Sequence, residues 1–169
     1  MLRMRFNKGV LAAFLTMPLV AQANCGPLLE AIDKAWKQER IAQYDIDSPD
    51  QPLSGLPQVV RVGKWIWSKG ASDQLQRFPH AERNVMVEAL RSDVAKGTAK
   101  CEALPDGTYR GQAVRRYRLA GNVGSDLTGR TVYSISRASG LPLYHEMEKL
   151  GPGGFAWVYG DAVKEPAVK

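Results

Sequence analysis

The chain has 169 residues, 44% of them hydrophobic and 24% charged, with a formal net charge of +6. That length suits one domain with its own core. No internal repeat or low-complexity tract divides it. No stretch reaches the roughly 20 consecutive apolar residues of a membrane-spanning helix.

Residues 1–23 read as a signal peptide. Arg3, Arg5 and Lys8 form a positive n-region, Val10–Val20 an apolar run, and Ala21-Gln22-Ala23 a small-x-small cleavage site. The alternative reading of the apolar run is a buried helix of the mature domain. Cleavage removes three basic side chains and no acidic one, so the net charge falls to +3. A balance that small decides little, and export argues against nucleic acid. The expected location is the periplasm of a Gram-negative bacterium. Residues 24–163 form one domain and 164–169 a flexible tail. No transmembrane segment is expected in the mature chain.

Two cysteines remain, Cys25 and Cys101. In an oxidising compartment two thiols most simply pair. The pairing closes a loop of about 75 residues, which chain entropy values at roughly 4 kcal/mol. Lipidation of Cys25 is an alternative, but Gln22-Ala23-Asn24 fits poorly the small residues that it needs. Metal binding is another, but these cysteines and two distant histidines have no ligand spacing.

Pro27 to about Ala42 reads as a helix. Leu28, Leu29, Ile32, Ala35 and Trp36 recur at helical spacing, and Pro27 is tolerated in a first turn. Residues 45–57 are turn-rich, with a short strand conceivable over Tyr44–Asp47. Val60 and Val62 alternate with Arg61 toward a Gly63-Lys64 turn, and Lys64–Ser68 returns as a hairpin with Trp65 and Trp67 on one face. A second helix is predicted over "FPHAERNVMVEALRSDVAKG", residues 78–97, with Met86, Ala89, Leu90 and Val94 as its apolar stripe.

The remainder is strand-like. Pro105-Asp106-Gly107 reads as a turn and Ala113–Ala120 as a strand. Gly121–Gly129 reads as a loop and Arg130–Ser136 as a strand. Ala138-Ser139-Gly140 turns into Leu141–Leu150, where Pro142 near the strand start is tolerated. Gly151-Pro152-Gly153-Gly154 turns into Phe155–Tyr159. Helix, hairpin, helix and a run of antiparallel strands make an α+β fold with helices on one side of the sheet.

Chemistry-bearing patterns are sparse. His80 and His145 lack metal spacing, and no G-x-S-x-G or H-E-x-x-H occurs, so both read as structural. Glu146 and Glu148 share a strand face. Such a pair can divide acid and base roles, but a wet strand face predicts the same pattern. "RRYR", Arg115–Arg118, suggests stacking on single-stranded nucleic acid, yet alternation separates Tyr117 from Arg116 and Arg118, as on a solvated strand.

"YSISRASGLPLYHEM" followed by "FAWVYGDAV" resembles exported proteobacterial proteins with a LolA/LppX-like, lipoprotein-carrier-like fold. "VVRVGKWIW" is similar to the V-G-x-x-x-Y hairpin of that family, and "GQAVRRYRL" to its G-x-x-a-x-x-Y strand. Members also carry a cysteine near the mature start and another before that strand, as Cys25 and Cys101 stand here. The match covers roughly residues 58–163, in patches. It implies a curved, half-open antiparallel barrel with the helices packed on its concave side. In the lipoprotein carriers that concavity holds acyl chains.

The resulting expectation is a periplasmic, non-enzymatic protein that binds an apolar ligand, such as a lipid or acyl chain, or an acylated partner. Trp65, Trp67, Met86, Leu90, Tyr133, Phe155, Trp157 and Tyr159 are candidate core or pocket-wall residues, since ligand sites are lined by such side chains. The sequence leaves the two roles open. The alternative is an envelope protein-interaction module, an assembly factor or inhibitor with a filled core. No cofactor and no metal is expected.

Overall fold

A computed structural model describes residues 24–70, 74–81, 84–123, 127–148 and 153–167. The predicted signal peptide, Gly151-Pro152 of the predicted turn and the last two residues of the predicted tail lie outside them.

Strands β1 (Arg40–Ile46), β2 (Val59–Val62), β3 (Trp65–Lys69) and β4 (Leu75–Pro79) form a meander. Helix α2 (Val85–Ala95) then carries the chain to the opposite edge. There β5 (Ala99–Tyr109), β6 (Gln112–Val123), β7 (Leu127–Ser136), β8 (Pro142–Met147) and β9 (Gly154–Tyr159) meander back. β9 pairs with β1, giving nine strands in the order β4-β3-β2-β1-β9-β8-β7-β6-β5. Every neighbouring pair is antiparallel. The sheet is curved and unclosed, with β4 and β5 as its edges. The expected α+β half-barrel with two helices is therefore what forms.

Helix α1 (Gly26–Trp36) is shorter than the predicted Pro27–Ala42. Residues 40–46 join the sheet instead, because a strand there pairs on both sides, with β2 and with β9. Such pairing buries Ile41, Ala42 and Ile46, and long-range packing of this kind overrides local helical spacing. Three contacts fasten α1. The predicted Cys25–Cys101 disulfide ties its start to edge strand β5. Lys34 Nζ donates to the Ser139 carbonyl at 2.6 Å. The Arg61 guanidinium donates to the carbonyl of Trp36 at the far end.

The second helix also starts later than predicted. Residues 75–79 are the edge strand β4, and the cap is Asn84, whose side chain accepts from Val87 N–H at 3.1 Å. The helix buries Val87 and Leu90 and leaves Met86 49% exposed. Met86 is thus not a core residue. The stripe starts at Val87, since 87, 90 and 94 fall on one face.

Two predicted loop boundaries move as well. Pro105-Asp106-Gly107 lies inside β5, where a register shift between Leu104 and Gly107 absorbs it. Proline is tolerated on an edge strand, whose outer N–H groups have no ladder partner. The reversal comes later, at Arg110-Gly111, with φ of 49° and 76°, the two positive values of a tight hairpin turn. Of the predicted Gly121–Gly129 loop, residues 121–123 and 127–129 instead pair as the ends of β6 and β7, out to Val123 and Leu127, and residues 124–126 lie outside the described residues.

The register sorts side chains onto two faces. On the helix face, Leu28, Leu29, Ile32, Val87, Leu90, Leu119 and Ile135 make one core with the disulfide. On the opposite face, Ala42, Val60 and Trp67 pack with Val163, and Ile46, Val114, Tyr109, Tyr144 and Ala156 make a neighbouring cluster. Leu53, from the β1–β2 connection, packs against the second of these. Val163 is held after β9 by the Arg40 guanidinium, which donates to its carbonyl at 3.0 Å. Gly154 is required by space: a Cβ there would lie 2.2 Å from the His145 carbonyl oxygen.

Candidate functional site

The aromatic residues nominated from sequence do not converge on one wall. Trp65 and Trp67 lie on the opposite face, where Trp67 is fully buried and Trp65 carries the Arg77 guanidinium 4.4 Å above its ring. Tyr133, Phe155, Trp157 and Tyr159 lie on the helix face. Leu90 belongs to the core under α2.

The four helix-face aromatics form a ladder across β7, β8 and β9, with His145 at its centre. His145 stacks on Tyr133 at 5.2 Å and on Phe155 at 5.0 Å, and meets Trp157 edge-on at 5.7 Å. Trp157 Nε1–H donates to His145 Nδ1 at 2.8 Å, which makes that nitrogen the acceptor and leaves the proton of the neutral ring on Nε2. Tyr159 hydroxyl donates to the Pro142 carbonyl at 2.6 Å. Burial pushes the Tyr133 hydroxyl up to about 12 and the His145 ring down to about 4. His145 is thus held neutral at the centre of the aromatic ladder.

The shift fixes a sign. The folded-state value of His145 lies below the ordinary 6.5, so the unfolded chain takes the proton first. The stability that the neutral ring brings is complete above pH 6.5 and is lost as pH falls toward 4, up to about 3 kcal/mol. Burial, and secondarily Arg61, also lower His80, which acts in the same direction. Urea midpoints measured between pH 7.5 and 4.5 are expected to fall in the native protein. They should fall less steeply in His145→Gln, which retains an acceptor for Trp157. Parallel slopes would refute the assignment.

The paired acids and the "RRYR" run resolve together. Arg118 on β6 bridges Glu102 of β5 at 2.7 Å and Glu148, just past β8, at 2.9 Å. Arg116 stands 4.0 Å from Glu146. Glu146 and Glu148 thus face guanidinium groups on an ion-paired strand surface. Arg115 and Tyr117 point the other way. They line a cleft of about 230 Å³ between α1 and the β6–β7 face, with Pro27, Glu30, Lys34, Ile135, Ser136, Arg137 and Gly140.

Three cations and one acid line that cleft. Lys34 is engaged with Ser139, and Arg137 pairs with Asp106 at 2.9 Å. Arg115, exposed, has no ionic or side-chain hydrogen-bonding partner among the described residues. The cleft was not nominated from the sequence. Alternation along "RRYR" does carry half of the signal, because it places Arg115 on the Tyr117 face. The other half, Glu30 and Lys34 on the rim of α1, requires knowing where the helix docks.

The other distinctive surface is apolar. Phe78 on edge strand β4 is 47% exposed, and Val85 and Met86 at the start of α2 are exposed as well. Among the described residues no group of three or more His, Cys, Asp or Glu side chains is placed to hold a metal ion. No helix among them is long and apolar enough to cross a membrane. No protein-family model matches the chain, and a search of curated proteins finds no match.

Proposed function

We propose that the chain is an exported, non-enzymatic interaction module of the bacterial envelope, a rigid half-barrel that presents its surface to a protein partner. The observation that carries this reading is the packing of both sheet faces. Trp67, Leu90 and their neighbours fill cores with other side chains of the chain itself. A filled fold has its outer surface to offer. The signal-like N-terminus and the disulfide support export, and the resemblance to LolA/LppX-like proteins supports an envelope setting.

One observation favours a second reading, the carriage of an apolar ligand. Phe155, Trp157 and Tyr159 remain only half-buried on the helix face, as pocket-lining rings would. Native mass spectrometry of the protein purified from the periplasm separates the two. The module reading expects the mass of the chain alone and a stoichiometric partner recovered from envelope extracts. A mass raised by one bound lipid, with no partner recovered, would overturn it in favour of a carrier.

A further inference from the structure

We infer that the cleft between α1 and the β6–β7 face binds a carboxylate group of an acidic peptide segment. This inference rests on the interaction-module reading and names the chemistry of the partner.

The cleft has the parts such a ligand needs. Arg115 presents a guanidinium without a partner among the described residues, and its planar fork matches a carboxylate in a bidentate pair. Lys34 and Arg137 flank it and keep the local charge positive even though each already holds one contact. Tyr117 and Ile135 supply an apolar wall for the methylenes of a Glu or Asp side chain. The walls are rigid: α1 is fixed by the disulfide and by Lys34, and Ile135 sits in the helix-face core. A pre-formed site loses little on ordering when it binds.

Glu30 decides between a peptide and a phosphate. It has no ionic or side-chain hydrogen-bonding partner among the described residues and lines the same cleft. A phosphate group offers mainly acceptors, and a carboxylate group alone would meet the same repulsion from Glu30. A peptide carries amide N–H donors next to its carboxylates, so it can satisfy Glu30 and Arg115 together. The "RRYR" run, with two of its arginines occupied by glutamates, thus keeps one arginine and its tyrosine for a ligand.

The test is a titration of the oxidised protein with N-acetylated tetraglutamate, followed by amide chemical shifts. Shifts are expected at Glu30, Arg115, Tyr117, Ile135 and Ser136, and should be absent with the tetraglutamine counterpart. Arg115→Gln is expected to weaken binding about tenfold or more, as loss of a charge-assisted pair does. Removing a like charge elsewhere, Lys164→Gln, should change it less than about twofold. Equal losses in both variants would reduce the effect to net charge and overturn the site. So would shifts produced by phosphatidylglycerol vesicles or inorganic phosphate but not by the peptide. A partner captured equally well by Arg115→Gln would overturn the cleft and leave the module reading standing. Failure of the native protein to capture any partner strikes at the module reading itself.

Discussion

Replacing both cysteines by alanine is expected to lower stability by about 4 kcal/mol, and the melting temperature by roughly 10–15 °C. The cross-link joins residues 76 apart in sequence. The loop it closes contains α1, β1–β4 and α2, so it restrains half of the unfolded chain. Its local effect adds to this. Helix α1 has no side-chain hydrogen bond at its N-cap, which is Cys25 itself, and an isolated helix of 11 residues is marginal in water. Without the disulfide, the start of α1 relies on the Asn24 side chain, which accepts from Gly26 N–H at 2.9 Å, and on the packing of Leu28, Leu29 and Ile32 in the helix-face core. Urea unfolding of the native protein, the double variant and the reduced native protein checks the magnitude. The reduced protein separates the cross-link from the lost cysteine packing. Hydrogen exchange should rise first in α1. An unchanged urea midpoint in both altered forms would refute the role given to the cross-link.

The contrast between α1 and β1 shows which parts of the fold the sequence carries. Helical spacing of Leu28, Leu29, Ile32 and Ala35 is a local signal, and those residues are buried on α1 as that spacing requires. The same kind of spacing runs on through residues 40–42. There it loses to pairing with strands that begin at residues 59 and 154, which no window on the chain can register. Edge strand β4 is illegible in the sequence for a related reason. Four of its five residues are exposed, so it lacks the buried alternation that marks a strand. The Gly63-Lys64 turn, by contrast, is legible because it is set by Gly63 alone, with φ of 56°.

The candidate site is harder to read than the fold. Clustering along the chain groups Trp65 with Trp67 and Phe155 with Trp157, and both pairings hold because alternation is local. Whether the two pairs share a wall depends on the face each strand presents, and they do not. The cleft draws its lining from α1, β6, β7 and the β7–β8 turn, segments separated by up to about 110 residues. Charge on an exposed strand looks the same in sequence whether an acid faces it or not. Only the register shows that Arg116 and Arg118 are matched by glutamates while Arg115 is not.

Trp67→Ala should cost about 3–5 kcal/mol, the range for truncating a large buried aromatic. Trp67 is fully buried, at 0% exposure, and packs in the core of Val60, Ala42 and Val163. It sits on β3, one strand in from the β4 edge, so its loss removes the principal anchor of the β2–β4 meander. Trp67→Phe is expected to cost far less, about 1 kcal/mol. The indole Nε1–H of Trp67 is buried with no hydrogen-bond partner among the described residues. An orphaned donor of that kind carries a desolvation cost of about 1–3 kcal/mol. Phenylalanine leaves a smaller void than alanine and removes that donor, so the two effects offset. Urea midpoints of the three proteins decide the matter. If Trp67→Phe is as damaging as Trp67→Ala, the indole nitrogen has a partner and this face is less dry than its packing indicates. If both are mild, the opposite-face core is loosely packed, and the filled half-barrel that supports an interaction module over a carrier loses its basis.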